Sequence, residues 1–97
     1  MTQLNAITAD CKVSCNLQLL STEVGGELVL MSIEAGKYYG LDKIASDVWK
    51  RIGSGAKVQA LYDELVASYQ GQAETIERDL LQLLTQMQQH ELLQVSA

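Results

Sequence analysis

Ninety-seven residues, 47% of them apolar and 20% charged, suffice for one packed core and not for two. Proline and Phe are absent and there is one Trp, so the core must be Leu, Ile, Val and Tyr, and a Pro-rich linker or disordered tail is excluded. The net charge of −5 falls in residues 58–97, where Arg78 is the sole basic residue against Asp63, Glu64, Glu74, Glu77, Asp79 and Glu91, a balance opposed to nucleic-acid binding. No apolar run approaches the ~20 residues of a membrane span, and no basic-then-apolar leader opens the chain. The expectation is a cytoplasmic protein that binds neither membrane nor nucleic acid.

Residues 1–16 read as a polar lead-in and residues 17–95 as one domain. From Leu17 the pattern becomes strand-like, with Leu17, Leu19 and Ser21 alternating with Gln18, Leu20 and Thr22. Gly25-Gly26 then supplies a turn. Residues 27–33 (ELVLMSI) form an apolar run of strand length, which Glu34-Ala35-Gly36 breaks. Residues 37–41 (KYYGL) read as a third strand, with Tyr38 and Tyr39 on opposite faces. Connections this short predict an antiparallel meander.

The period changes at Asp42, a helix N-cap before Ile44, Val48, Trp49 and Ile52. Gly53-Ser54-Gly55 stops that helix. In the second, Val58, Leu61, Tyr62, Leu65, Val66 and Tyr69 make a single apolar stripe. The third spans about residues 74–90, with Ile76, Leu80, Leu83, Leu84 and Met87 on one face. Leu92, Leu93 and Val95 form a short apolar tail suited to packing back on the core. Three strands followed by three helices define an α+β fold whose last strand, residues 37–41, lies at a sheet edge with unpaired backbone groups.

Catalytic chemistry finds little support. His90 is the only His, at a helix end and with no nucleophile near it in sequence. Cys11 and Cys15 are spaced C-x3-C, but with one His and no further Cys they cannot assemble a four-ligand zinc site. The glycines fit no phosphate-binding spacing. No enzyme activity, metal or cofactor is expected. An exposed strand edge beside an amphipathic helix is instead suited to capturing an extended peptide as a further strand. Lys37, Tyr38, Tyr39 and Gly40 would carry the backbone pairing. Ile76, Leu80, Leu83 and Met87 would form an apolar floor, with Asp79 beside it as a polar contact. The same periodicity serves core packing equally well.

The stretch from Glu27 to Trp49 (ELVLMSIEAGKYYGLDKIASDVW), with Tyr69, Asp79, Leu83-Leu84, Met87 and Leu92-Leu93 beyond it, resembles the PqqD-like family. That family has a strand of the form (E)xVLxxxxGxYYxLN leading into a helix that ends in an Ile/Val-Trp pair. Departures are Asp42 for the usual Asn, and Ala56-Lys57 for the usual Thr before the second helix, which leaves its cap to Ser54 or Gly55. Met87 stands in a Leu position, and residues 89–91 lack the Gly that commonly precedes the final apolar pair. The resemblance implies a winged helix-turn-helix fold serving as a recognition element for ribosomally made, post-translationally modified peptides. Such proteins bind the leader of a precursor peptide as an extra strand beside their third strand and against their third helix. They present it to a modifying enzyme, a radical SAM enzyme in pyrroloquinoline quinone synthesis or a leader peptidase and cyclase in lasso peptide pathways. The GKYYGLD block is closer to the lasso type. The rival readings are a small subunit that dimerises through the open edge and a winged-helix DNA-binding regulator.

Overall fold

The structure, a computed structural model, describes residues 7–96; residues 1–6 of the expected lead-in lie outside them. Its elements run β1 (Lys12–Cys15), β2 (Leu20–Val24), β3 (Glu27–Ser32), β4 (Lys37–Gly40), α1 (Lys43–Ile52), β5 (Ala56–Lys57), α2 (Val58–Ser68), α3 (Ala73–Gln89) and β6 (Leu93–Ser96). The expected meander is present as the antiparallel sheet β2-β3-β4, and three helices follow it in the α+β winged helix-turn-helix class. Gly25 and Gly26, with φ of 62° and 86°, close the β2–β3 hairpin between the paired Val24 and Glu27. Positive φ at both central residues matches the twist of the flanking strands, and glycine reaches it without a Cβ clash.

A second sheet, β5-β1-β6, departs from the sequence reading. Residues 12–15 belong to its central strand rather than to a featureless lead-in, and Val13 there is fully buried. The apolar tail packs back as expected, but does so as β6, pairing with β1 from Lys12↔Ser96 to Cys15↔Leu93. The first meander strand also starts later than its alternation suggests. Asn16 Oδ1 accepts from the Gln18 amide at 3.0 Å, which turns the chain and leaves Leu17 85% exposed.

The N-terminal segment also caps α2. Neither Ser54 nor Gly55 does so, because Lys57 occupies the cap position, and its side chain makes no capping bond. The first amides of the helix donate to main chain instead, Val58 to the Cys11 carbonyl at 2.9 Å and Gln59 to that of Ala9 at 3.1 Å. The core lies between the inner face of the meander, with Leu28 and Leu30, and the helical stripes, with Val48, Leu61, Leu80 and Leu84; Val13, Leu92 and Leu93 close it from the second sheet.

Candidate functional site

Strand β4 is an edge of its sheet, paired with β3 on one side in the register Val29↔Gly40, Leu30↔Tyr39, Met31↔Tyr38 and Ser32↔Lys37. The Leu41 amide donates to the Leu28 carbonyl at 2.8 Å, so Leu41 faces β3. By the antiparallel alternation Lys37 and Tyr39 also direct their backbone groups inward, and Tyr38 and Gly40 direct theirs to the open side. Side chains alternate on the perpendicular axis. Tyr39 shares the face of fully buried Leu30 and is partly buried, whereas Tyr38 is 72% exposed. The two tyrosines do take opposite faces.

Across from the open edge runs α3. A cleft of about 420 Å³ separates them, walled by Tyr38, Tyr39 and Gly40 on the strand side and by Leu83, Gln86, Met87 and His90 on the helix side. Tyr39 and His90 meet at its end, ring centroids 5.4 Å apart and tilted by 48°. Asp42 and Ala45, at the start of α1, line its other end. The Asp42 carboxylate there accepts from the Ala45 amide at 2.8 Å, the N-cap its position suggests. A second cleft of about 270 Å³ continues along α3 toward its N-terminus, bounded by Ile44 and Val48 of α1, the 69–71 loop, and Ile76, Asp79 and Leu80. Leu83 borders both, so the two form one trough along the helix.

The residues singled out by sequence are thus distributed rather than gathered. Tyr38, Tyr39, Gly40, Leu83 and Met87 surround the first cleft, and Ile76, Asp79, Leu80 and again Leu83 the second. Lys37 borders neither. Leu80 and Met87 are core side chains, 3% and 2% exposed, and give the trough its rear surface more than its rim. Asp79 is exposed, 3.9 Å from the Arg78 guanidinium.

Three residues bear on the site without being marked for it in the sequence, although one of them, Ile44, belongs to the apolar stripe of the first helix. Ile44 is 57% exposed at the lip of the second cleft. Ser46 is buried between α1 and the meander. Asp47 belongs to a cluster whose only sequence trace is its four-residue spacing to Arg51. The Tyr69 hydroxyl donates to Asp47 Oδ2 at 2.5 Å, and Arg51 Nε donates to Asp47 Oδ1 at 3.0 Å. Arg51 also reaches Ser68 Oγ at 3.2 Å and Glu64 Oε1 at 3.5 Å. The Tyr69 hydroxyl foremost, then Arg51, holds the Asp47 carboxyl below its usual range; the same bond to Asp47 raises Tyr69.

The two thiols differ. Burial pushes Cys15 up to about 11 while its Sγ lies 3.5 Å from the Trp49 carbonyl, and hydrogen bonds from Thr8 lower Cys11. Among the described residues, no group of three or more His, Cys, Asp or Glu side chains is placed to hold a metal ion, and no helix is long and apolar enough to cross a membrane.

The opposite edge of the meander, β2, is also unpaired among the described residues, but a Lys50–Glu23 ion pair ties it to α1. Only β4 lies along the trough of α3. The class so defined is a small α+β winged helix-turn-helix domain with an open-edged sheet beside a helix-lined trough. Residues 27–93 match the family described as coenzyme PQQ synthesis protein D (PqqD), and the chain belongs to that family.

Two solved structures share the fold. One, described as TbiB1 in complex with the TbiA(beta) leader peptide, is 27% identical with a TM-score of 0.73, over 84% of this chain and 94% of that one. The other, a lasso peptide synthetase B1 complexed with the leader peptide, is 16% identical with a TM-score of 0.69, over 84% and 96%. No curated protein matches in sequence.

Proposed function

We propose that this protein binds the leader segment of a ribosomally made precursor peptide, without catalysis, and delivers it to a modifying enzyme. The pathway favoured is lasso peptide biosynthesis, with a leader peptidase and a cyclase as the enzymes served. One observation carries the reading: among the described residues the outer edge of β4 is unpaired, and it runs along a trough with an apolar rear. Tyr38 and Gly40 offer the outward N–H and C=O groups that an added strand needs. Leu83 and Met87 then meet alternate side chains of that strand, and Ile76, Leu80 and Asp79 meet the segment that continues along α3. Two proteins of the same fold were solved with leader peptides, which supports this assignment. The function is to concentrate a flexible substrate at its enzyme, and that requires only binding.

The rival readings lack such support. A DNA-binding role would set Glu74, Glu77 and Asp79 of α3 against phosphates. Edge-to-edge dimerisation would leave the trough without a purpose.

The test is titration calorimetry with a synthetic leader from the precursor encoded beside this protein. We expect one-to-one binding in roughly the sub-micromolar to micromolar range, since ordering a disordered peptide offsets much of the contact energy. Absence of binding by that leader sinks the proposal.

A further inference from the structure

The wall of the second cleft is held by a group of side chains that peptide pairing does not use. Residues 69–71 form that wall, with Tyr69 still 37% exposed. The loop has few fastenings of its own. The Tyr69 amide closes α2 on the Leu65 carbonyl at 2.9 Å, and Gln72, at the cap position of α3, makes no capping bond with its side chain. Its tie to α1 is the Tyr69 hydroxyl on Asp47. Asp47 is fixed in turn by Arg51, which also grips the last turn of α2 through Ser68 and Glu64.

We propose that Tyr69, Asp47 and Arg51 form a latch that orders the 69–71 loop and so sets the shape of the second cleft for an apolar side chain of the bound peptide. These are positioning residues. Asp47 and Arg51 lie outside both clefts, and Tyr69 contributes its ring to the wall while its hydroxyl points to the latch. The inference rests on the leader-binding reading and adds to it the fixing of one pocket by a neighbouring polar network. The directions of the Asp47 and Tyr69 shifts agree with it, since each group stabilises the other in the carboxylate and phenol forms.

The experiment compares wild type with Tyr69→Phe, Asp47→Ala and the double variant. Tyr69→Phe keeps the ring and removes only the latch. Hydrogen exchange of amides 70–72 is measured on the free protein, and affinity with the synthetic leader and its alanine-scan peptides. Faster exchange at 70–72 is expected in each variant, with an affinity loss of about three- to tenfold and a fall of only a few degrees, roughly, in melting temperature. The double variant should lose no more than the worse single one, because both act through one bond. The loss should also vanish with the alanine peptide that lacks the side chain occupying this cleft.

Unchanged exchange in Tyr69→Phe overturns the latch. So does a loss that stays constant across every alanine peptide, for that marks a general weakening rather than a shaped pocket. Failure of wild type to bind the leader overturns the leader-binding reading instead, and exchange alone then decides whether the latch orders the loop.

Discussion

Leu28 and Leu41 face each other at the end of the β3–β4 ladder, yet only one direct hydrogen bond joins them. The Leu41 amide donates to Leu28 at 2.8 Å, and the return bond passes through a serine. Ser46 Oγ accepts from the Leu28 amide at 2.9 Å and donates to the Leu41 carbonyl at 3.1 Å. A helix side chain thus completes the rung where the strand turns into α1. It locks the edge strand to the helix that starts the trough.

Ser46→Ala should therefore cost about 2 kcal/mol, since it strands a buried N–H and a buried C=O together. In a domain of this size that corresponds to a fall of roughly 8–16 °C in melting temperature. Urea denaturation followed by circular dichroism checks it. A loss under ~0.5 kcal/mol would show that water replaces the hydroxyl.

Proline substitution separates the two sides of β4. At Tyr38 it removes an outward N–H that β3 does not use, so the fold should persist while leader affinity drops more than about tenfold. At Tyr39 it removes a bond to Leu30 and should destabilise the domain itself by roughly 2–3 kcal/mol. Calorimetric titration and thermal melts on the two variants give the contrast; a larger loss of stability at Tyr38 than at Tyr39 would reverse the backbone orientation.

Adjacent leucines of α3 should divide binding from stability in the same way. Leu84 is fully buried, and Leu84→Ala should cost about 3 kcal/mol through the cavity it leaves. Leu83 borders both clefts and is only partly buried. Leu83→Ala should cost about 1 kcal/mol of stability and lower leader affinity about tenfold or more. Denaturant midpoints and leader titrations on both variants decide it.

The latch fixes a pH dependence of known sign. Asp47 is held below its usual value of 3.8, so its contribution is present above that value and lost as pH falls through the lowered one. Tyr69 is raised above 10.0, so its contribution is present below that value and lost as pH rises through the higher one. The charged groups facing the pair are Arg51 and Lys50, and Glu64 faces Arg51 in turn. Urea midpoints of wild type and Tyr69→Phe should differ at neutral pH and converge at both extremes. A difference that persists in strong acid would mean that the Asp47 carboxylate is not its source.

The exit from α3 shows how far family resemblance alone reaches. Glu91 takes φ of 58°, the left-handed conformation for which the family commonly has Gly. The Leu92 amide bonds back to the Met87 carbonyl at 2.9 Å and the Glu91 amide to that of Gln88 at 3.0 Å, the paired bonds of a Schellman ending. The geometry survives the missing glycine because Leu92 and Met87 are both buried and hold it from either side. Glu91→Gly should accordingly stabilise the protein by about 0.5–1 kcal/mol in a thermal melt, with destabilisation as the contrary result.

Locally encoded features were legible in the residues. The glycine pair, the run ELVLMSI, the Asp42 cap and the α2 stripe each declare themselves within a few positions, and the meander and helices follow from them. The strand edge was legible for the same reason. The second sheet was not, because β1 offers one buried residue, Val13, and its partners stand far away in sequence. Periodicity also could not divide the α3 stripe into core and rim. Leu80 and Met87 went inward and Leu83 to the trough according to what packs against each turn. The Tyr69–Asp47 bond joins α1 to the loop after α2 and left no mark in either pattern.

The pairing of β1 with β6 has a consequence for synthesis on the ribosome. The β2-β3-β4 ribbon needs only neighbours and is able to form while the nascent chain is still short. Strand β1 must wait for a partner made about 80 residues later, so the last seam of the domain closes only once the final strand has emerged.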